Sequence, residues 1–493
     1  MMLLSPRIRA ALLAAAATAL VAAGAPAPGP LGIGDPLFPH LGNPGYDVVS
    51  YDIAFDYSGD NSRPLNAVTK IDALATADLR RINLDHTRGK VGSVLVGGET
   101  AQFTVQGEDL VVTPPKPVRK GMPIALVVRH TSDPGGDEDK GGWIRTGDGL
   151  VMANQADAAH RVFPCNDHPA DKARFTFRIT APKGTTAVAN GLAAGKRTTA
   201  RGTTWTYRTA HPMATELAQV AIGKSTVVRR QGPHGLPIRD VVPTADRAKV
   251  EPWLEKTPDH VAWMEDKVGR YPFETYGVLL AGARTGFALE TQTLSLFERD
   301  LFTTEGVPRW YVESVMVHEL AHQWFGNSVS PRTWSDLWLN EGHASWYEAL
   351  FTEERAGRSL EERMKEAYRS SDGWRASGGP PAAPEPAAPG RQLSLFRPIV
   401  YDGSALVLYA LRQEIGGSAF DRLERAWVQR YADGNATTED FTRLASWTAG
   451  RDLSGFFRGW LYGAKTPPMP GHADWRSAPP ADGDETAPSD GGA

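Results

Sequence analysis

Residues 318–322 read His-Glu-Leu-Ala-His, inside the run VESVMVHELAHQWFGN. Two imidazoles four positions apart share one face only on a helix, because four residues of α-helix turn through about 400°. Val312, Val315, Met316 and Leu320 make that helix largely buried, and burial is unfavourable for two unpaired histidines. The fold must therefore bring a compensating group from a second segment. Glu341 is the candidate: it follows His322 by 19 positions, in the apolar and aromatic stretch WSDLWLNEGHASWYEA. A buried carboxylate there needs a partner of its own, and a cation supplies it. His318, His322 and Glu341 form a ligand set for one Zn²⁺ that leaves a coordination position open, as catalytic rather than structural sites do. Glu319, beside them, can take a proton from a metal-activated water. His343, two residues from Glu341, projects about 200° away on a helix and is expected to pack or hydrogen-bond.

The period of the apolar residues divides the chain of 493 residues. Runs such as 46–57, 91–97, 110–114, 124–130 and 175–180 read as half-buried or buried strands separated by turn signals, which makes the N-terminal half all-β. From about residue 250 the period moves toward 3.6. Helices are predicted over 252–268 (with a break at Pro258), 309–325, 341–353, 355–368, 404–415, 418–431 and 438–449. Thr437 and Asp440 form a capping box for the last of them; the glycosylation tripeptide at Asn435 is adequately explained by that cap. Residues 376–390 read as a Pro/Ala loop.

The expected organisation is a signal peptide over 1–27, an N-terminal β domain over 28–225, a mostly helical catalytic domain over 226–466 and a disordered acidic tail over 467–493. Arg7 and Arg9 precede the Ala/Leu/Val run 10–23 and a stretch of small residues, the pattern of a secretory signal with cleavage between Ala23 and Ala27. A secreted or cell-envelope location follows, with no stable membrane span after cleavage. Hydrophobic residues at 41% and charged residues at 22% exclude a disordered chain and a polytopic membrane protein. A formal charge of −4 gives no general attraction to nucleic acid. The single cysteine, Cys165, excludes an intrachain disulfide and reads as a buried packing thiol.

Three stretches resemble the aminopeptidase N family of zinc metallopeptidases, gluzincins that include leukotriene hydrolase. VHELAHQWFGNSVSPRTWSDLWLNEGHASWYE (317–348), FPCNDHPADKARF (163–175) and VYDGSALVLYALRQEIG (400–416) occur in the family's order. The resemblance implies an α+β multidomain fold: an N-terminal all-β saddle or sandwich-like domain, then a thermolysin-like zinc peptidase domain. It further implies a short form without the family's helical C-terminal domain, and hence a more open site. The family's metal ligands fall on His318, His322 and Glu341, its general base on Glu319 and its transition-state tyrosine on Tyr401. Gly403-Ser404 stands where the family usually has Lys-Gly.

The family's reader of the substrate α-amine falls on Glu290, where Phe-Ala-Leu-Glu-Thr replaces Gly-Ala-Met-Glu-Asn. A second amine contact falls on Gln155, ten residues before Cys165; a neutral amide accepts a hydrogen bond but supplies no charge. The implied partners are peptides with a free N-terminus. Rival readings are a zinc endopeptidase of the same fold, an epoxide hydrolase and a non-catalytic zinc-containing binding protein. Oligomeric state is not legible. Asp336 and Ser345 are both candidates to support a zinc ligand from behind.

Overall fold

The structure, a computed structural model, describes residues 32–136, 141–283, 285–386 and 395–478. The signal-peptide expectation for 1–27 and the acidic stretch from 479 onward lie outside the described residues.

Alternation builds the N-terminal part. In Tyr46–Asp56 the inward residues Val48, Tyr51, Ile53 and Phe55 are buried and their neighbours are more exposed, so one face of the strand packs and the other meets solvent. This strand pairs antiparallel with Leu65–Ala75 and parallel with Arg174–Ala181, at the centre of an eight-stranded sheet. Inside, Tyr51 stacks on Phe175 at 4.8 Å and Phe175 on Phe177 at 5.6 Å. A four-stranded sheet and a three-stranded sheet share one hydrophobic core with it. Strand Leu150–Ala153 of the four-stranded sheet leads directly into Gln155.

The C-terminal part, expected to be mostly helical, also contains strands. Ser225–Gln231, Pro237–Pro243, Val278–Leu280 and Ser295–Phe297 form a four-stranded sheet. The last two are three residues long and buried throughout, too short to display a period of two. Ten α-helices accompany this sheet among the described residues, the first two between its second and third strands and the rest after its last: α1 (Arg247–Leu254), α2 (Thr257–Val268), α3 (Arg299–Thr303), α4 (Arg309–Ala321), α5 (Trp338–Ala356), α6 (Leu360–Gly378), α7 (Asp402–Ile415), α8 (Gly417–Arg430), α9 (Thr438–Ala449) and α10 (Ser454–Tyr462). The break expected at Pro258 falls between Leu254 and Thr257 instead; Pro258 sits in the first turn of α2, where its missing N–H has no helical partner to lose. α6 runs on to Gly378, into the stretch expected to be a loop.

Residues 467–478, expected as the start of a disordered tail, pack on the helices. Met469 and Trp475 are buried. Trp475 lies parallel to Tyr409 of α7 at 5.9 Å and stacks on His472 at 4.3 Å. Met469 and Trp475 stand isolated in a run rich in Pro, Ala and Gly that shows no period, yet each covers apolar surface that the helices leave open.

α5 and α7 approach closely because Gly342 faces Ser404. A Cβ on Gly342 would lie 2.6 Å from the Ser404 Cβ and 3.2 Å from its carbonyl carbon. This contact fixes Glu341, one residue earlier on α5, relative to Tyr401 at the start of α7. No helix among the described residues is long and apolar enough to cross a membrane.

Candidate metal centre and active site

α4 carries His318 and Glu319 in its last turn, with His322 at its C-terminal end. α5 presents Glu341 from its first turn. The two imidazole Nε2 atoms face each other at 3.2 Å, and Glu341 Oε2 lies 3.4 Å from His318 Nε2 and 3.3 Å from His322 Nε2. All three side chains are buried, and they are the one His/Cys/Asp/Glu group among the described residues spaced to hold a metal ion.

Each imidazole is aimed from behind. His318 Nδ1 donates to Glu348 Oε2 at 3.2 Å, and His322 Nδ1 donates to the Phe325 carbonyl at 3.1 Å. With each Nδ1 carrying the proton, each Nε2 offers a lone pair to the centre. Glu341 Oε2 and Glu319 Oε2 are buried with no hydrogen-bond partner among the described residues. Burial alone would lower the His322 imidazole, but Glu290 and Glu341 outweigh it and hold it up at about 9. The pocket thus favours positive charge. Two imidazole nitrogens, one carboxylate oxygen with a free lone pair and an electronegative surround fit Zn²⁺.

Tyr401 caps α7, and its ring lies over His318 at 5.9 Å and 27°. Burial raises its hydroxyl well above the ordinary tyrosine value, and Glu341, Glu290 and Glu319 add to the effect. The phenol therefore stays protonated and is a hydrogen-bond donor at neutral pH. Burial also pushes Glu319 up to about 8, against the pull of His318 and His322.

Glu290 comes from the turn that joins Val278–Leu280 to Ser295–Phe297, where Leu289 and Leu296 exchange backbone hydrogen bonds. Its carboxylate lies 4.0 Å from His322 Nδ1 and accepts a 2.6 Å hydrogen bond from Gln155 Nε2. The two residues expected at the amine site are thus in contact, one from each part of the chain. The Glu290 carbonyl accepts from Gln323 Nε2 at 3.0 Å and Asn327 Nδ2 at 2.6 Å, both just beyond α4.

His343 is buried, stacked on Phe325 at 4.3 Å, and donates to the Leu339 carbonyl; it points away from the centre. Asp336 caps its own turn and accepts from Thr438 N and Oγ1, fastening α9. Ser345 Oγ has no partner among the described residues. Neither supports a metal ligand. That role falls to Glu348, which the sequence reading missed. The signal was present: Glu348 follows Glu341 by seven residues, two helical turns along the same face of α5. Cys165 is buried, and burial followed by Asp167 and Asp85 raises its thiol well above the ordinary value, which leaves it an inert packing group.

Residues 253–460 match the Peptidase family M1 domain, and residues 146–217 match the Peptidase M1 N-terminal domain. Aminopeptidase N of Streptomyces lividans is 26% identical over 322 residues, covering 62% of this chain and 36% of that protein. The chain spans about a third of the length of the curated relatives it matches. The crystal structure of an M1 zinc metallopeptidase from Deinococcus radiodurans superposes with a TM-score of 0.78 at 28% identity, covering 89% of this chain and 98% of that one. A mutant of the Deinococcus radiodurans M1 zinc metallopeptidase bound to a Tyr-Ser-Ala substrate gives a TM-score of 0.75 at 27% identity, covering 89% and 99%.

Proposed function

Because this chain belongs to peptidase family M1, we propose that it is a zinc-dependent aminopeptidase that removes the N-terminal amino acid from peptides. The observation that carries this reading is the placement of Glu290. A buried carboxylate 4.0 Å from one imidazole of the metal centre, with Gln155 hydrogen-bonded to it, is what an ammonium group needs to hold the first peptide bond at the metal. Zinc, when bound by His318, His322 and Glu341, supplies a Lewis acid that polarises the carbonyl and acidifies water. Glu319 accepts the proton of the attacking water and delivers it to the leaving amine. Tyr401 donates a hydrogen bond to the oxyanion as charge develops there. Glu290 and Gln155 receive the free α-amine, so that a peptide blocked at its N-terminus loses its anchor.

A panel of aminoacyl fluorogenic amides tests the reading. Hydrolysis is expected, with loss on chelation, recovery on adding Zn²⁺, and no cleavage of N-acetylated substrates. Cleavage of acetylated peptides at internal bonds would establish the endopeptidase instead. Zinc binding without hydrolysis of any substrate in the panel would leave a binding protein. Export is proposed as well, on Arg7, Arg9 and the apolar run 10–23; protein recovered from the medium should begin between Ala23 and Ala27 on N-terminal sequencing.

A further inference from the structure

One guanidinium connects the metal ligand His318 to Tyr401. On α5, Glu348 accepts from His318 Nδ1 at 3.2 Å. On α6, Arg363 donates to both oxygens of that carboxylate, Nη1 to Oε1 at 2.9 Å and Nη2 to Oε2 at 3.3 Å. The same guanidinium donates through Nε to Asp402 Oδ1 at 3.0 Å. Asp402 is the first residue of α7 and follows Tyr401 directly. Three helices are thus joined through one planar fork whose geometry a lysine cannot reproduce.

Each contact has a consequence at the reacting centre. The carboxylate on His318 Nδ1 fixes the tautomer and the ring direction, and so the aim of Nε2. Glu348 can keep that orientation only if its own charge is compensated, since its side chain is largely buried and an uncompensated buried carboxylate is unstable. At the other edge, Asp402 fixes the backbone from which the Tyr401 ring leans over His318. Displacing either group by a fraction of an ångström weakens a transition-state contact.

We propose that Arg363 is a positioning residue for the hydrolysis: through Glu348 it holds the aim of the metal ligand His318, and through Asp402 it holds the Tyr401 hydroxyl in place. The proposal rests on the aminopeptidase reading, and its zinc-affinity arm stands apart from it.

The test uses the full chain and the variants Arg363→Ala, Arg363→Lys and Asp402→Asn, each assayed for zinc affinity by chelator competition, for kcat and KM at saturating zinc, and for melting temperature. Arg363→Ala should weaken zinc binding and lower kcat, each by about 10–100-fold, with KM within about threefold. Arg363→Lys should recover part of each loss. Asp402→Asn should lower kcat while leaving zinc affinity near that of the parent chain. The Arg363→Ala/Asp402→Asn double variant should lose no more kcat than Arg363→Ala alone, because both act through one link. A folded Arg363→Ala protein with unchanged zinc affinity and kcat overturns the proposal, as do kcat losses that add independently in the double variant. If Arg363→Ala does not fold, Arg363→Lys and Asp402→Asn carry the same comparison. A parent chain that binds zinc but hydrolyses no aminoacyl amide would sink the aminopeptidase reading and leave the link between Arg363 and zinc affinity still measurable.

Discussion

Glu319 is buried beside His318, with one carboxylate oxygen that no described group satisfies. Its replacement by Gln keeps the size and removes the base. Glu319→Gln should therefore retain zinc, measured by metal analysis, while kcat falls by at least about 100-fold. The pH profile carries a second expectation. Burial pushes Glu319 up to about 8 from an ordinary 4.5, with His318 and His322 pulling it down; a neighbouring Zn²⁺ pulls further in the same direction. The base works only as the carboxylate, so kcat/KM should rise with pH, with an acid limb between those two values. An acid limb that persists unchanged in the residual activity of Glu319→Gln would remove Glu319 from the role. For Glu290, an exchange to Gln leaves a group that binds the amine without charge. A loss of about tenfold or more in kcat/KM is expected on free-amine substrates, and equal activity on both enzymes would move the amine site elsewhere.

Helix α5 shows how a single residue without a side chain governs an element. Gly342→Ala places a methyl group 2.6 Å from the Ser404 Cβ, so α5 and α7 must separate. The expected destabilisation is about 1–3 kcal/mol by urea unfolding, with a loss of kcat because Glu341 and Tyr401 move apart; a variant with parental stability and kcat would show that the two helices are not in close contact. The same element marks what the sequence could disclose. His318, His322 and Glu341 were legible because helix geometry and the penalty of buried charge leave few arrangements open to them. Glu348 shares the face of Glu341 seven residues on, a spacing that admits a supporting carboxylate; the contact of Arg363 with its carboxylate distinguishes it from a solvated one. Tyr401, Glu290 and Gln155 came only from the family resemblance; a tyrosine at a helix start, or a carboxylate in a loop, has no pattern of its own. The strands Val278–Leu280 and Ser295–Phe297, which hold the Glu290 turn, were hidden by brevity, and the packing of Met469 and Trp475 by isolation.

The two parts of the chain are fastened around one lysine. Lys172, in the FPCNDHPADKARF segment, reaches across to donate to the carbonyls of Asn327 at 2.8 Å, Ser328 at 2.9 Å and Gly434 at 3.4 Å. Asn327 in turn holds the Glu290 carbonyl. Asn190 of the N-terminal part donates to the Gln292 carbonyl at 2.7 Å on the same turn, and His211 pairs with Asp433 at 2.8 Å. The N-terminal part thus acts as a brace on the turn that carries Glu290, the proposed amine contact, besides contributing Gln155. Lys172→Met keeps the apolar stem and removes the donor. It should lower the urea midpoint, because buried carbonyls lose a partner. The pH dependence identifies the cause. Burial pushes Lys172 down to about 7, against the opposing pull of Asp433 and Glu216, while the unfolded chain keeps a lysine near its ordinary 10.5. Between those values the unfolded state binds the extra proton, so raising the pH favours the folded state, by at most about 1.4 kcal/mol per unit. The stability of the parent chain relative to Lys172→Met should therefore increase from pH 7 to pH 10, measured by urea unfolding at fixed ionic strength. Parallel stability curves for the two proteins across that range would mean that the lysine stays charged in its carbonyl cradle, and that the brace is set by hydrogen bonding alone.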